Sequence, residues 1–247
     1  MSYVLKLRLA VIVAILSVFI LSFSAISYIT EVERYQNELR DSVVSVVDPL
    51  LGHRGTGWIA DINGDRVIVT AKHILIGRID GSNEIDKISS LNMLENILIY
   101  VTAVDDTSSC TSIISYNDDM EIEENKASDW IILACPACFS HLPALRIADN
   151  SPEYGELLYW CGFSDTGESA VSDIVVMGDY TDDMAMCRLG GIFGPGASGS
   201  PIYDPERGVV AILTRAFTET HYGIGIDLAM IREEIETEYI TDVVVRF

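Results

Sequence analysis

From Val43 onward, the sequence is a succession of short apolar runs separated by glycine, asparagine, aspartate and proline. Runs of about four to eight residues that end in such turn-forming residues are typical of β-sandwiches and β-barrels. Asn63-Gly64 lies between two of the runs and is a strong signal for a two-residue hairpin. The pattern therefore predicts an all-β domain. The clearest predicted strands are residues 43–47, 57–62, 66–70, 97–104, 112–116, 130–135, 157–162, 171–177 and 209–214.

One segment near the C-terminus has helical rather than strand spacing. Leu228, Ile231, Ile235 and Tyr239 recur at intervals of three to four residues, and Asp227 stands where a helix cap is expected. This spacing predicts a C-terminal helix over residues 227–239. The residues that follow, Ile240 to Phe247, are rich in valine and isoleucine and predict a β-like tail.

The N-terminus holds an uncharged run from Leu9 to Ile29, long enough to cross a bilayer as a helix of about 20 residues. The run exceeds the apolar region of about 7 to 15 residues in a signal peptide, which favours an uncleaved anchor over residues 1–30. Lys6 and Arg8 indicate a cytoplasmic N-terminus and a body outside the cytoplasm. Thr30-Glu31-Val32-Glu33 resembles a capping box and predicts a separate juxtamembrane helix over residues 31–42.

The charge of the chain excludes one class of partner. Residues 31–247 contain all 37 acidic residues and 14 of the 16 basic ones, a net charge of −23. Nucleic-acid binding depends on clustered lysine and arginine that neutralise phosphates, so such an acidic body is not expected to bind nucleic acid. The same field is expected to slow the approach of strongly acidic substrates at low salt.

Five cysteines are an odd number for a fully paired secreted protein, so at least one should be a thiol. Cys135-Pro-Ala-Cys138 has the spacing of a thiol redox motif. That chemistry needs the first cysteine at the N-terminus of a helix, and no helical pattern follows it. A structural or metal-binding role for the pair stays open, although no metal or other cofactor is expected for the function of the protein.

The octapeptide from Gly194 to Pro201, GPGASGSP, places Ser198 beside glycine on a tight turn between two apolar runs. Glycines allow the backbone to approach a substrate carbonyl closely, so that the amides of Gly196 and Ser198 can point at a developing oxyanion. Serine is a weak nucleophile until a base takes its proton, which predicts a catalytic histidine elsewhere. An ordinary Gly-Ser loop is the alternative.

His73 is the best of four candidate histidines because it follows a predicted strand, where a rigid scaffold meets a loop. A buried carboxylate is expected to orient its ring. Asp129 immediately precedes the apolar run Trp130 to Leu133 and is well placed to be buried.

In this order and spacing, the motifs resemble the trypsin-like (chymotrypsin-fold) serine peptidases, most closely the HtrA-type and glutamyl-endopeptidase-like bacterial branches. The resemblance covers about residues 43–238. It rests on Gly55-Thr-Gly57-Trp-Ile-Ala, Val69-Thr-Ala-Lys-His73, Asp129-Trp-Ile-Ile-Leu, Leu142 to Asp149, Gly155 to Gly162, Gly196-Ala-Ser198-Gly-Ser-Pro201 and Tyr222 to Leu228.

The resemblance implies two six-stranded antiparallel β-barrels over about residues 43–138 and 152–226, within a peptidase domain of residues 43–247. It implies a triad of Ser198, His73 and Asp129, with the amides of Gly196 and Ser198 as oxyanion hole. Extended polypeptide substrate would pair with Thr214, Arg215 and Ala216. HtrA-type proteins often continue into a PDZ domain, and no such domain is expected here. Cys161 and Cys187 could pair across strands of the second barrel.

Specificity is expected to depend on Ile192, which the resemblance places at the base of the S1 pocket. An apolar base has no partner for a buried lysine or arginine side chain, which predicts a small-to-medium apolar P1 residue. Arg215 could instead favour an acidic P1. The predicted function is a membrane-anchored serine endopeptidase; the alternatives are an inactive peptidase-fold binding module tethered to the membrane and a redox or structural surface protein built on Cys135 and Cys138. The oligomeric state stays open.

Overall fold

The computed structural model describes residues 3–47, 54–76, 99–103, 106–110, 113–116, 127–135, 137–163, 169–179 and 185–245. The chain divides into two compact units, residues 1–38 and residues 39–247. The second unit is mostly β-structure with a C-terminal helix, as the sequence predicts.

The described residues of the N-terminal unit belong to one helix, α1 (Tyr3–Ser42). Its most apolar window has a mean hydropathy of 2.4 and no buried share, so it is long and apolar enough to cross a membrane; a signal sequence meets the same criteria. The capping box predicted at Thr30 is wrong. The Thr30 hydroxyl donates to the carbonyl of Ile26 at 3.0 Å, a bond made within a helix, because nothing between Ile29 and Ser42 interrupts helix propagation.

The first half of the second unit is a sheet with the strand order β5-β4-β1-β2-β3-β7-β6, in which β8 pairs in parallel with β2. These described pairings form an open path, and closure into a barrel stays a prediction. Its elements are β1 (Val43–Val47), β2 (Arg54–Ile62), β3 (Asp65–Thr70), α2 (His73–Ile76), β4 (Ile99–Ala103), β5 (Asp106–Cys110), β6 (Ile113–Tyr116), β7 (Ile131–Ala134), a 3-10 turn (Ala137–Phe139) and β8 (Leu145–Arg146).

The second half is a closed barrel of six strands in the order β10-β11-β14-β13-β12-β9, which confirms the predicted strand number. The strand β11, with only five residues, lacked a clear alternating pattern in the sequence. The elements are β9 (Leu157–Phe163), β10 (Ser169–Asp179), β11 (Met186–Gly190), β12 (Pro201–Asp204), β13 (Gly208–Phe217), β14 (Tyr222–Asp227) and helix α3 (Leu228–Val245).

The hairpin between β2 and β3 turns at Asn63 and Gly64, as predicted. Both residues have positive φ, 55° and 92°, the combination that a type I′ turn requires. The carboxylate of Asp61 accepts the Gly64 amide at 2.9 Å and closes the turn. This hairpin fixes the register of the strand that leads to His73.

Helix α3 begins after Asp227, as predicted, and the Asp227 carboxylate accepts the Ala229 amide at 3.0 Å. The predicted β-like tail is wrong, because the helix continues to Val245. Extending a helix costs far less than starting one, and Leu228 to Val245 contains neither glycine nor proline. The small helical penalty of three consecutive valines is therefore overridden.

Three buried clusters among the described residues stabilise the unit. One lies within the first half and one within the second-half barrel. The third joins the halves, because it combines residues of β2, β3 and β7 with residues of β9, β12, β13 and α3. Strand β2 contributes to two of the clusters: Trp58 belongs to the joining cluster, and Ile59 belongs to the cluster within the first half. Strand β2 therefore takes part in the packing between the halves.

Candidate active site

His73 and Asp129 meet because the strands that carry them are antiparallel neighbours. Thr70, the last residue of β3, pairs with Ile131, the first residue of β7. The residue after the end of one strand and the residue before the start of the other therefore lie at the same edge of the sheet. His73 begins α2 just past that edge, and Asp129 lies just before it.

The Asp129 carboxylate binds His73 with both oxygens. Oδ2 lies 2.7 Å from Nδ1 of the ring, and Oδ1 accepts the backbone amide of His73 at 2.9 Å. The side chains are 18% and 10% exposed, so water competes weakly for these bonds. Because an ionised carboxylate only accepts, the proton of a neutral ring lies on Nδ1, and Nε2 is left as a basic nitrogen.

Ser198 lies on a turn whose backbone is closed by its own hydrogen bonds. The Ala197 amide donates to the Gly194 carbonyl, and the Ser200 amide donates to the Ala197 carbonyl, each at 3.1 Å. Gly199 has φ 85°, and a β-carbon there would lie 1.9 Å from the Thr56 carbonyl oxygen. Glycine is therefore required at position 199, both for its backbone conformation and for the close approach of β2.

The serine turn is attached to both halves of the domain. The Thr56 amide of β2 donates to the Ser198 carbonyl at 2.8 Å, and the Gly199 amide donates to the Leu213 carbonyl of β13 at 2.6 Å. The Ser198 hydroxyl is 3.4 Å from the Thr214 carbonyl and is partly exposed. Among the described residues, it therefore has no short hydrogen bond that would hold it away from a substrate.

Gly55 of β2 lies close to both the helix that begins at His73 and the turn that bears Ser198. A β-carbon at Gly55 would lie 2.1 Å from Cδ1 of Ile74, the neighbour of His73, and 3.0 Å from the carbonyl oxygen of Ser198. The His73 and Ser198 segments thus converge on one backbone position of β2.

Two amides of the serine turn differ from their neighbours. Within the described residues, the Gly196 and Ser198 N–H groups donate no hydrogen bond, whereas the amides of Ala197 and Gly199 both do. Gly196 has φ 91°, a conformation that glycine adopts at little cost. These two N–H groups are the ones that the sequence predicts as an oxyanion hole.

The predicted substrate-binding residues lie beside the turn. Ile192 is 70% exposed, whereas the next residue, Phe193, is buried against Trp160. The place of Ile192 at the base of an S1 pocket stays a prediction. Strand β13 pairs with β12 only as far as Ile212, and its residues Thr214, Arg215 and Ala216 continue beyond that pairing.

Two residues of this region were not singled out by sequence reasoning. Thr56, the central residue of Gly55-Thr-Gly57, is fully buried and bonds to the serine turn. Lys72, next to His73, is 1% exposed, and its amide donates to the Asp129 carbonyl at 3.4 Å. Neither has a sequence signal of its own, since a threonine in a strand and a lysine near a turn are both ordinary.

The cysteines lie outside this region. Cys161 and Cys187 form no disulfide and lie in different buried clusters, so their suggested pairing is wrong; two strands separated by a third in the barrel do not bring them together. Burial raises the pKa of each thiol to about 12, which keeps both protonated.

Cys138 is exposed on the 3-10 turn, which is too short to supply the helix N-terminus of a redox motif. Within the part of the chain that the structure describes, no group of three potential metal ligands occurs.

Solved structures resemble this chain in fold. The serine endoprotease from Yersinia pestis matches with a TM-score of 0.60 at 16% identity, over 83% of this chain and 65% of that one. A Glu endopeptidase matches with a TM-score of 0.59 at 14% identity, over 81% and 91%. The serine protease of a human pathogenic astrovirus matches with a TM-score of 0.52 at 17% identity, over 76% and 90%.

None of the curated proteins compared with the sequence matches it. The family model of the trypsin-like peptidase domain matches residues 55–212, a span that includes β2 from Gly55 onward, His73, Asp129 and the serine turn. This match covers more than half of the sequence. The chain therefore belongs to the trypsin-like peptidase domain family.

Proposed function

We propose that the protein is a serine endopeptidase that uses Ser198, His73 and Asp129 as a catalytic triad. The observation that carries the proposal is the double contact of Asp129 with the amide and the ring of His73, close to the turn that bears Ser198. A carboxylate that binds both the ring and the backbone amide of a histidine fixes the tautomer and the orientation of the ring, which is what a triad requires of its third member.

In the proposed reaction, Nε2 of His73 takes the proton of the Ser198 hydroxyl while Oγ attacks the scissile carbonyl carbon. The new oxyanion accepts hydrogen bonds from the amides of Gly196 and Ser198. The imidazolium then gives its proton to the leaving amine, the peptide C–N bond breaks, and an acyl-enzyme forms. In deacylation, His73 takes a proton from water while the water oxygen attacks the ester carbon. The C–Oγ bond then breaks, His73 gives the proton to Oγ, and the carboxylic acid product leaves Ser198 regenerated.

Asp129 contributes by stabilising the imidazolium that forms between these steps. Its side chain is 10% exposed, so its negative charge acts on the ring with little screening by water. Both carboxylate oxygens are held by His73, which limits rotation of the ring. The tautomer and the orientation of the base are set before the substrate arrives.

For specificity, we propose that Thr214 to Ala216 pair with the substrate backbone as an added strand, and that P1 is a small-to-medium apolar residue that contacts Ile192. Ile192 is exposed rather than enclosed, which fits a shallow contact with P1. A profile of cleavage in a peptide library measures this preference. Dominant cleavage after glutamate would instead assign the P1 contact to Arg215.

We further propose that residues 1–30 anchor the chain in a membrane, that residues 31–42 connect the anchor to the peptidase domain over 43–247, and that this domain lies outside the cytoplasm. The support is the length and hydropathy of α1 together with Lys6 and Arg8 before the apolar run. The first half would close into a second barrel. Cleavage of the N-terminal segment, detected by N-terminal sequencing of the mature protein, would make the domain a secreted one.

The decisive experiment is labelling of the full chain, in detergent micelles, with a fluorophosphonate probe. Ser198 Oγ forms a bond to phosphorus while the P–F bond breaks and fluoride leaves. We expect labelling of the wild type and none of Ser198→Ala. Ser200→Ala is the matched control, because Ser200 lies two residues away with a fully buried hydroxyl that has no hydrogen-bond partner among the described residues. A folded wild type that resists the probe would favour the inactive binding module.

A further inference from the structure

Thr56 is the residue that connects the first half of the domain to the serine turn most extensively. Its side chain is fully buried at the centre of Gly55-Thr-Gly57. Its hydroxyl donates to the Gly196 carbonyl at 2.9 Å and accepts the Phe163 amide at 2.8 Å. Its amide donates to the Ser198 carbonyl at 2.8 Å, and its carbonyl accepts the Thr70 hydroxyl at 2.6 Å. Every polar group of this residue is therefore in use.

These bonds hold alternate peptide planes of the serine turn. The plane between residues 196 and 197 is held by the Thr56 hydroxyl at its carbonyl and by the Gly194 carbonyl at its N–H. The plane between residues 198 and 199 is held by the Thr56 amide at its carbonyl and by the Leu213 carbonyl at its N–H. The peptide between them carries the Ser198 N–H and, among the described residues, makes no bond through it.

Rotating a peptide plane changes ψ of the residue before it and φ of the residue after it. The plane that carries the Ser198 N–H is held at its own carbonyl, because the Ala197 carbonyl accepts the Ser200 amide at 3.1 Å, and both neighbouring planes are held at two ends. This N–H therefore keeps its direction although it donates to no described acceptor. The Gly196 N–H belongs to the peptide plane between residues 195 and 196, which directly precedes the plane that the Thr56 hydroxyl holds. Loss of the hydroxyl would release the Gly196 carbonyl, and glycine at positive φ offers little resistance to rotation.

We propose that the Thr56 hydroxyl is a positioning group that holds the Gly196 and Ser198 amides in the geometry of an oxyanion hole. The inference rests on the proposed serine peptidase function and adds to it a residue that touches neither substrate nor triad side chains. Threonine and serine can both donate to Gly196 and accept from Phe163, whereas valine, which has nearly the same shape, can do neither.

The test compares three full-chain variants by the kinetics of fluorophosphonate labelling, which separates the affinity for the probe from the maximal rate of bond formation. For Thr56→Val we expect the maximal rate to fall about 100-fold with little change in probe affinity, because displacement of reacting groups by about 1 Å has that cost. Thr56→Ser should stay within about threefold of the wild type, since the hydroxyl is kept.

Thr70→Val is the matched control. It also removes a buried threonine hydroxyl, but the bond that is lost is the one that Thr70 donates to the Thr56 carbonyl, and the bond from Thr56 to Gly196 is kept. We expect it to lower the melting temperature about as much as Thr56→Val while labelling stays within about threefold of the wild type. The pH dependence of labelling should be unchanged in all three variants, since the His73–Asp129 pair is not altered.

Equal labelling rates of Thr56→Val and Thr70→Val would overturn the inference, and so would a slow Thr56→Ser that folds normally. If Thr56→Val fails to fold, the rate of Thr56→Ser still decides, because a rate near that of the wild type is required. Failure of the proposed function has a different signature: the wild type itself would not label, or Ser198→Ala would label as well.

Discussion

The two halves of the domain hold their candidate catalytic residues in different ways. The first half provides His73 and Asp129 through side chains at neighbouring strand ends, held by two hydrogen bonds between them. The second half provides Ser198 and the Gly196 and Ser198 amides, which donate to no described acceptor, through a backbone turn that is held by glycine conformations and by bonds to β2 and β13. One arrangement depends on side-chain identity and the other on main-chain geometry.

This difference predicts how each half tolerates change. A side-chain arrangement is damaged when one functional group is replaced, and the fold around it survives. A main-chain arrangement has few side chains to replace, but it fails when a β-carbon is added where none fits. Replacement of the Asp129 or His73 side chain should therefore lower activity with little loss of stability, and a β-carbon added at a tightly packed glycine of the turn should lower both.

The largest effect on activity is expected from Asp129→Asn. The asparagine side chain has only one acceptor oxygen, so it cannot accept from both the ring N–H and the backbone N–H of His73. The ring is then left in the wrong tautomer, and kcat should fall about 10⁴-fold. The melting temperature should change little. Activity of a purified variant on the best peptide substrate measures the effect, and Asp173→Asn, at an exposed position of β10, is the control.

Gly199→Ala should have the next largest effect and should act on stability as well. Its β-carbon would lie 1.9 Å from the Thr56 carbonyl, at φ 85°, so β2 and the turn must separate. We expect a loss of more than about 3 kcal/mol in the free energy of unfolding, together with loss of labelling. Gly194→Ala is the matched control, since a β-carbon there would meet no described atom within 4 Å and the φ of Gly194 is not positive. Equal stability of the two variants would contradict the main-chain account.

A smaller, pH-dependent effect is expected at the junction of the second barrel with α3. Burial raises the pKa of the Asp227 carboxyl above its ordinary value, and the charge of Asp179 adds to the shift. The folded state thus binds the proton more tightly, so the contribution of Asp227 to stability is complete below the ordinary pKa and is lost as pH rises through the raised one.

Asp227→Asn keeps an acceptor for the α3 cap but removes the titration. The difference in unfolding free energy between this variant and the wild type should shift in favour of the variant as pH rises from about 3 to 7. Urea unfolding at several pH values measures it. A difference independent of pH would show that burial does not govern this carboxyl.

The smallest effect concerns thiol reactivity and should leave activity unchanged. Cys161 and Cys187, one in the joining cluster and one inside the second barrel, have pKa values of about 12, whereas Cys138 is exposed. Maleimide at pH 7 should modify Cys138 in the native protein and the two buried thiols only after unfolding. Peptide mass spectrometry identifies the sites, and native modification of Cys161 would show that the cluster opens.

The same difference between the halves explains what the sequence could predict. His73 and Asp129 were predicted from their positions at strand ends, because strand patterns and residue types determine a side-chain arrangement. The Asn63-Gly64 hairpin and the Asp227 cap were predicted for the same local reason. Thr56 could not be found in this way, because its role depends on Gly196 and Phe163, which lie more than 100 positions away.

The two wrong predictions of secondary structure, the capping box at Thr30 and the β-like tail after residue 239, also arose from local signals. Thr30 and the valines after Ile240 indicate a helix start and a strand, yet both lie in continuous helices. In each case a propagating helix overrides a weak local preference. Closure of the six-stranded barrel was expected from the family resemblance alone. The pattern of a single strand does not predict that β9 will pair with β12, or β10 with β11.

The bond between Thr56 and Gly196 joins residues 140 positions apart, whereas the bond that closes the β2–β3 hairpin spans three. Contacts between distant residues form late in folding, because the entropy of closing a long loop must be overcome first. The hairpin that leads to His73 can form early and alone, but the serine turn acquires its geometry only when the second half docks on β2. If the proposed peptidase function holds, we expect proteolytic activity to appear only after the two halves have joined, so that an incompletely folded chain would not cleave its neighbours.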